Sequence, residues 1–89
     1  MLRKSLMINP TDSVAMVLED AFAGDTINTP NGPVTLRENV EFAHKVSIVD
    51  LKKSQPVIKY GEQIGHMLED ALAGSWIHLH NMGCDRGQK

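Results

Sequence analysis

A chain of 89 residues can build one hydrophobic core and not two, and a domain of that size offers a shallow cleft rather than a deep enclosed pocket. Its net charge of −2, with acidic and basic residues interspersed and no cationic run longer than Lys52-Lys53, argues against nucleic acid or an anionic membrane as partner. A single cysteine, Cys84, excludes an intrachain disulfide, residues 6–8 are too short an apolar stretch for a signal-peptide core, and no stretch is long enough to span a membrane, so the expected setting is the cytoplasm.

In chain order, the first clear signal is Leu18-Glu19-Asp20-Ala21-Phe22-Ala23-Gly24, which returns 50 positions later as Leu68-Glu69-Asp70-Ala71-Leu72-Ala73-Gly74. Each copy leads into an isoleucine, Ile27 or Ile77. Thr29-Pro30-Asn31-Gly32-Pro33 reads as a turn, because Asn-Gly tolerates positive φ and the flanking prolines forbid regular pairing. Weaker copies of the repeat follow: Asn39-Val40-Glu41-Phe42-Ala43 before Val46, and Asp50-Leu51-Lys52-Lys53-Ser54 before Val57. Their uneven spacing excludes a solenoid. Asp or Asn can accept a bond from a backbone N–H a few residues on, and Gly supplies an unusual φ at the exit. Each copy is therefore expected to be a single 3₁₀ or α turn joining two extended segments. The rival reading makes residues 14–23 and 64–73 amphipathic helices, since Glu-Asp-Ala-Leu-Ala has good helix propensity. Gly cuts each apolar run within about ten residues, and the rest of the chain is dense in β-branched residues, Pro and Gly, which favours strands. These are expected at about 34–36, 45–49, 56–59 and 76–80, with Tyr60-Gly61 and Ile64-Gly65 framing a small turn.

The chemistry-bearing residues lie in the second half. His44-Lys45 opens the segment at 45–49, where an imidazole and a cation can meet an anionic substrate or simply form a solvated strand end. If 76–80 is a strand, Trp76, His78 and His80 share one face while Ile77 and Leu79 take the other. Two imidazoles about 7 Å apart can contribute to a metal site or bind a carboxylate or hydroxyl, and a solvated edge is the plain alternative. Asn81 follows, able to donate and accept together. Spacing fixes no third metal ligand: Cys84, Asp85 and His44 all remain open, and Cys84 as a nucleophile has no supporting partner.

Taken together, His44-Lys45-Val46, then Lys59-Tyr60-Gly61-Glu62-Gln63-Ile64-Gly65, then Ala73-Gly74-Ser75-Trp76-Ile77-His78-Leu79-His80-Asn81 resemble, in order and spacing, the N-terminal module of altronate and galactarate dehydratases. The likeness runs over residues 8–81. It implies a SAF-type β-clip, a fold also seen in sialic acid synthases and type III antifreeze proteins: mainly β, with short strands and short helical turns. A single domain over 1–89 follows, with its core at about 8–81 and a tail at 82–89 on which the sequence is silent. In some members this module is fused to a large catalytic domain; in others, including sulfolactate sulfo-lyases, it is a small separate subunit, and this chain is similar to the second arrangement. Two departures stand out: Ala43 occupies a position where the family usually has Gly, and Leu79 separates the histidines where Thr or Val is usual.

The resemblance implies dehydration of a hexonic or hexaric acid. A proton α to the carboxylate is removed, an enediolate is stabilised, and the β-hydroxyl leaves as water. It also implies iron or another divalent ion as electrophile, with its main ligands on a large catalytic subunit. On this chain it points to His78 and His80 as catalytic, and to His44, Lys45 and Asn81 as substrate-binding. Whether any residue here ligates metal stays open, and the chain is expected to be inactive alone. Two other readings remain: a non-catalytic β-clip module binding carbohydrate or protein, and a sulfo-lyase subunit releasing sulfite.

Overall fold

The computed structural model describes residues 1–7, 9–30 and 32–84; Ile8, Asn31 and residues 85–89, including the metal-ligand candidate Asp85, lie outside the described residues. Each of the four repeat copies closes a turn with a bond from the fourth residue's N–H to the first residue's carbonyl. The bonds run from Asp25 to Phe22 (2.9 Å), His44 to Glu41 (3.0 Å), Gln55 to Lys52 (3.0 Å) and Ser75 to Leu72 (3.2 Å). The third residue of each turn has positive φ: Gly24 at 92°, Ala43 at 70°, Ser54 at 73° and Gly74 at 93°. These are four-residue β-turns whose left-handed third residue reverses the chain, in place of the 3₁₀ or α turns expected from sequence, and no described residue is helical. Ala43 accepts the left-handed conformation at the position where the dehydratases it resembles usually have Gly.

The turns come in pairs. Ala21 and Val40 exchange two backbone bonds (2.8 and 2.9 Å), and Leu51 and Ala71 exchange two more (both 2.8 Å). The leading Asp or Asn then caps its partner's turn rather than its own. Asp20 Oδ1 accepts from Phe42 N (2.9 Å) while Asn39 Oδ1 accepts from Ala23 N (3.0 Å). Asp50 Oδ1 accepts from Ala73 N (2.8 Å) while Asp70 Oδ1 accepts from Lys53 N (2.8 Å). The antiparallel bridge brings the neighbour's unpaired N–H closer to the carboxylate than any local one, which is why the expected local bond does not form.

Ten strands among the described residues make three small sheets. They are β1 (Leu2–Arg3), β2 (Ser5–Leu6), β3 (Val14–Val17), β4 (Thr26–Thr29), β5 (Gly32–Thr35), β6 (Lys45–Ser47), β7 (Pro56–Lys59), β8 (Glu62–Met67), β9 (Trp76–Ile77) and β10 (Met82–Cys84). The orders are β1-β4-β5, β2-β3-β6-β9 and β10-β8-β7. The rival helices are thus excluded, since β3 and β8 occupy their first halves. The segment expected at 56–59 is β7, those at 45–49 and 76–80 shorten to β6 and β9, and the one at 34–36 begins earlier, as β5. The 29–33 turn narrows to a hairpin tip, because Gly32 already pairs with Thr29. Ile64 and Gly65 belong to β8, which leaves Tyr60 and Gly61 alone as the β7–β8 turn.

The four-stranded sheet is the centre of the molecule. Its registers pair Ala15 with Val46 and Val46 with Trp76, so these side chains share one face with Val17 and pack into a cluster containing Ile27, Leu36 and Val40. Val14 and Ile77 take the other face and join Leu51, Val57, Met67 and Met82. Burial on both faces explains why apolar residues run consecutively in β3 rather than alternating. Met82, outside the expected core span, fills the second cluster and anchors β10 against β8. No helix among the described residues is long and apolar enough to cross a membrane.

Candidate functional site

The register that seats Val46 opposite Trp76 and Lys45 opposite Ile77 also brings the residue before β6, His44, beside the end of β9. Trp76 Nε1–H donates to His44 Nδ1 at 3.0 Å. The His78 ring lies nearly parallel to the indole, at 5.3 Å and 11°, and stacks on His44 at 5.2 Å. His80 packs on the indole at 4.8 Å. The fold thus gathers three of the expected site residues, His44, His78 and His80, around Trp76. His80 is exposed and the other three rings are half-buried.

The route differs from the one expected. β9 ends at Ile77, and residues 78–81 turn back on themselves: Asn81 N (3.1 Å) and Met82 N (2.9 Å) both donate to the His78 carbonyl. Strand alternation therefore fails beyond Ile77, and Leu79, expected on an apolar face, is 63% exposed. Both imidazoles reach the indole because the turn curls over it. Asn81 is buried and braces this turn: its Oδ1 accepts from His78 N (3.0 Å), and its Nδ2 donates to the Trp76 carbonyl (3.0 Å). Its side chain is engaged with backbone rather than turned toward solvent.

Lys45 goes the other way. Paired with Ile77, it lies on the opposite face of the central sheet from Val46 and Trp76. Burial holds its ammonium below the usual lysine range, the charge of Lys59 adds to that, and Cys84 opposes it. His44 and Lys45 thus lie toward two different faces of the central sheet. Lys59 and Cys84 as neighbours of Lys45 were not legible in sequence, although Lys59 opens one of the motifs. Nor was the tie between Trp76 and His44, which joins residues 32 positions apart.

The His78 imidazole is held below its ordinary value, first by burial and then by the charges of His44, Lys45 and His80. The neutral ring is therefore favoured near neutrality. Among the described residues no three or more His, Cys, Asp or Glu come together to hold a metal ion. The imidazoles meet through their faces and one His44 nitrogen is already engaged, so these residues do not fit a metal centre by themselves. The remaining histidine, His66, packs its ring against Gly83 in another sheet.

The ring cluster is an open platform. A concavity of about 530 Å³ lies elsewhere, between Arg3, Lys4, Leu18, Glu19 and Asn28. Its guanidinium is already committed, because Arg3 Nε–H donates to Asp25 Oδ2 at 2.7 Å and Nη1 reaches Glu19 at 3.3 Å.

Residues 3–85 match the family model described as the altronate/galactarate dehydratase SAF domain. Altronate dehydratase of Escherichia coli (strain K12) is 41% identical over 76 residues, which cover 85% of this chain and 15% of that protein. Galactarate dehydratase (L-threo-forming) of the same organism is 32% identical over 72 residues, 81% of this chain and 14% of that protein. The (2R)-sulfolactate sulfo-lyase subunit alpha of Paracoccus pantotrophus is 42% identical over 48 residues, 54% of this chain and 72% of that subunit. The chain therefore spans a small fraction of the dehydratases it matches and most of the sulfo-lyase subunit.

Proposed function

The chain belongs to the SAF-domain family of altronate and galactarate dehydratases, and from that premise we propose that it is the small, substrate-contacting part of a sugar-acid hydro-lyase. A large catalytic partner supplies the remaining groups. The observation that carries this reading is the convergence of His44, His78 and His80 on Trp76, from two segments that also carry the family motifs.

The reaction is β-elimination of water: the proton α to the carboxylate leaves, charge spreads into the carboxylate as an enediolate, and the β-hydroxyl departs protonated. Imidazole N–H groups suit two parts of this. They donate to carboxylate and hydroxyl oxygens, and a ring titrating near neutrality can pass a proton to a leaving hydroxyl. We assign that exchange to His80, the exposed ring of the cluster. His78, kept neutral, acts as a hydrogen-bonding group, and Asn81 orients both through the turn it braces. The divalent ion implied by the resemblance is assigned to the large partner. An open platform with so few groups leaves base, acid and electrophile incomplete, so the chain alone is expected to be inactive.

Assaying the chain with and without a large dehydratase partner on altronate and galactarate tests the proposal. Turnover is expected from the complex only; turnover by the chain alone contradicts it. A second reading, release of sulfite from sulfolactate, is favoured by one observation, the 72% of the sulfo-lyase subunit that this chain spans. Sulfite appearing with sulfolactate, and no product from the sugar acids, selects it.

A further inference from the structure

A neutral imidazole offers a ligand either a donor or an acceptor, and the partner of one nitrogen decides what the other presents. The indole Nε1–H is a donor only. At 3.0 Å from His44 Nδ1 it makes that nitrogen the acceptor, so the proton of neutral His44 sits on Nε2, at the ring edge turned away from the indole. The indole is itself held in place. Its backbone N donates to Glu38 Oε2 (3.0 Å), its carbonyl accepts from Asn81 Nδ2 (3.0 Å), and His78 covers a ring face at 5.3 Å. Little freedom remains for the His44 ring, which is fixed on one edge by the indole and on one face by His78 at 5.2 Å.

We propose that Trp76 is a positioning residue, which locks His44 in the Nε2–H tautomer so that the chain presents a fixed hydrogen-bond donor to an oxygen of an anionic polyhydroxy acid. This rests on the hydro-lyase reading above and deepens it. Trp76 is confined to setting which atom of His44 faces the ligand, and His44 makes the contact. The acceptor served is a carboxylate or hydroxyl oxygen, since a donor-only group at that edge repels an ammonium or a second N–H.

Nitrogen-15 imidazole spectra of the full chain at about pH 8, where histidine is ordinarily neutral, report the tautomer directly. His44 is expected to show an unprotonated Nδ1 and a protonated Nε2. Trp76→Phe keeps an aromatic face but removes the donor; it is expected to mix the tautomers and to lower galactarate turnover of the assembled enzyme about tenfold, short of the roughly 10²-fold that outright misplacement can cost. A wild-type His44 protonated on Nδ1, or exchanging between tautomers, overturns the proposal without reference to any variant. So does a lock that is lost in Trp76→Phe with no change in turnover. His44→Ala separates this from the site itself. If its turnover is also unchanged, the hydro-lyase reading of the platform fails as well, whereas loss in His44→Ala alone leaves that reading standing and removes only the role of Trp76.

Discussion

At the scale of single residues, the platform divides into side chains that face solvent and side chains that hold others. His80 is exposed, so His80→Ala opens little cavity; its thermal stability is expected to change by under about 1 kcal/mol. Asn81 is 4% exposed and makes two backbone bonds. Asn81→Ala strands the His78 N–H and the Trp76 carbonyl, and is expected to cost about 1–3 kcal/mol by denaturant unfolding. Comparable stability of the two variants would contradict the bracing role. His78 adds a pH dependence. Above its ordinary value of 6.5 the ring is neutral in both folded and unfolded chains. As pH falls through that value, the unfolded chain takes up a proton that the folded chain resists, so stability declines until the lower folded value is passed. Thermal midpoints of wild type and His78→Gln are expected to converge as pH falls through this window, with the wild type losing more. Parallel curves would mean the burial of His78 has no energetic consequence.

At the scale of elements, the turn repeat was legible because its side chains announce it: an Asp or Asn, a small connector, then Gly or a tolerant residue. The faint copies led by Asn39 and Asp50 fold as the strong ones do. Hidden from sequence was the pairing of turns, since a carboxylate does not reveal whether it caps its own turn or one about 20 residues away. The end of β9 was hidden for a related reason. Trp76 to His80 alternates as a strand should, but the bond that His78 N donates to Asn81 Oδ1 draws the chain into a turn. The glycines test this layer. Gly24 and Gly74 share a φ near 92–93°, yet a Cβ at Gly24 meets nothing within 4 Å while one at Gly74 falls 2.2 Å from the Thr35 carbonyl oxygen. Gly24→Ala is expected to cost about 1 kcal/mol for the left-handed backbone alone, and Gly74→Ala distinctly more, read from denaturation midpoints. Ala43→Gly is expected to stabilise by up to about 1 kcal/mol, because it relieves φ of 70° at the turn before His44.

At the scale of the whole molecule, a central sheet buried on both faces fixes the distance between the two segments that carry the site. β6 delivers His44 at its start and β9 delivers the His78 turn at its end, so the platform depends on the register between these strands rather than on any loop. The motifs that suggested a dehydratase are largely the residues of this junction and of the turns that aim it. That is why family and fold were readable together, while the surroundings of Lys45 were not: alternation turns it away from the face of Val46, but only the fold shows that Lys59 and Cys84 neighbour it there. The central claim is that the imidazoles on this junction serve the substrate site of a larger hydro-lyase. It is tested most directly by galactarate and altronate turnover of the assembled enzyme carrying His78→Ala, His80→Ala or, as control, His66→Ala, with assembly verified for each. The account expects turnover to fall about 10²-fold or more in the first two and to be retained in the His66 variant; full turnover in both the 78 and 80 variants within an intact complex would contradict it.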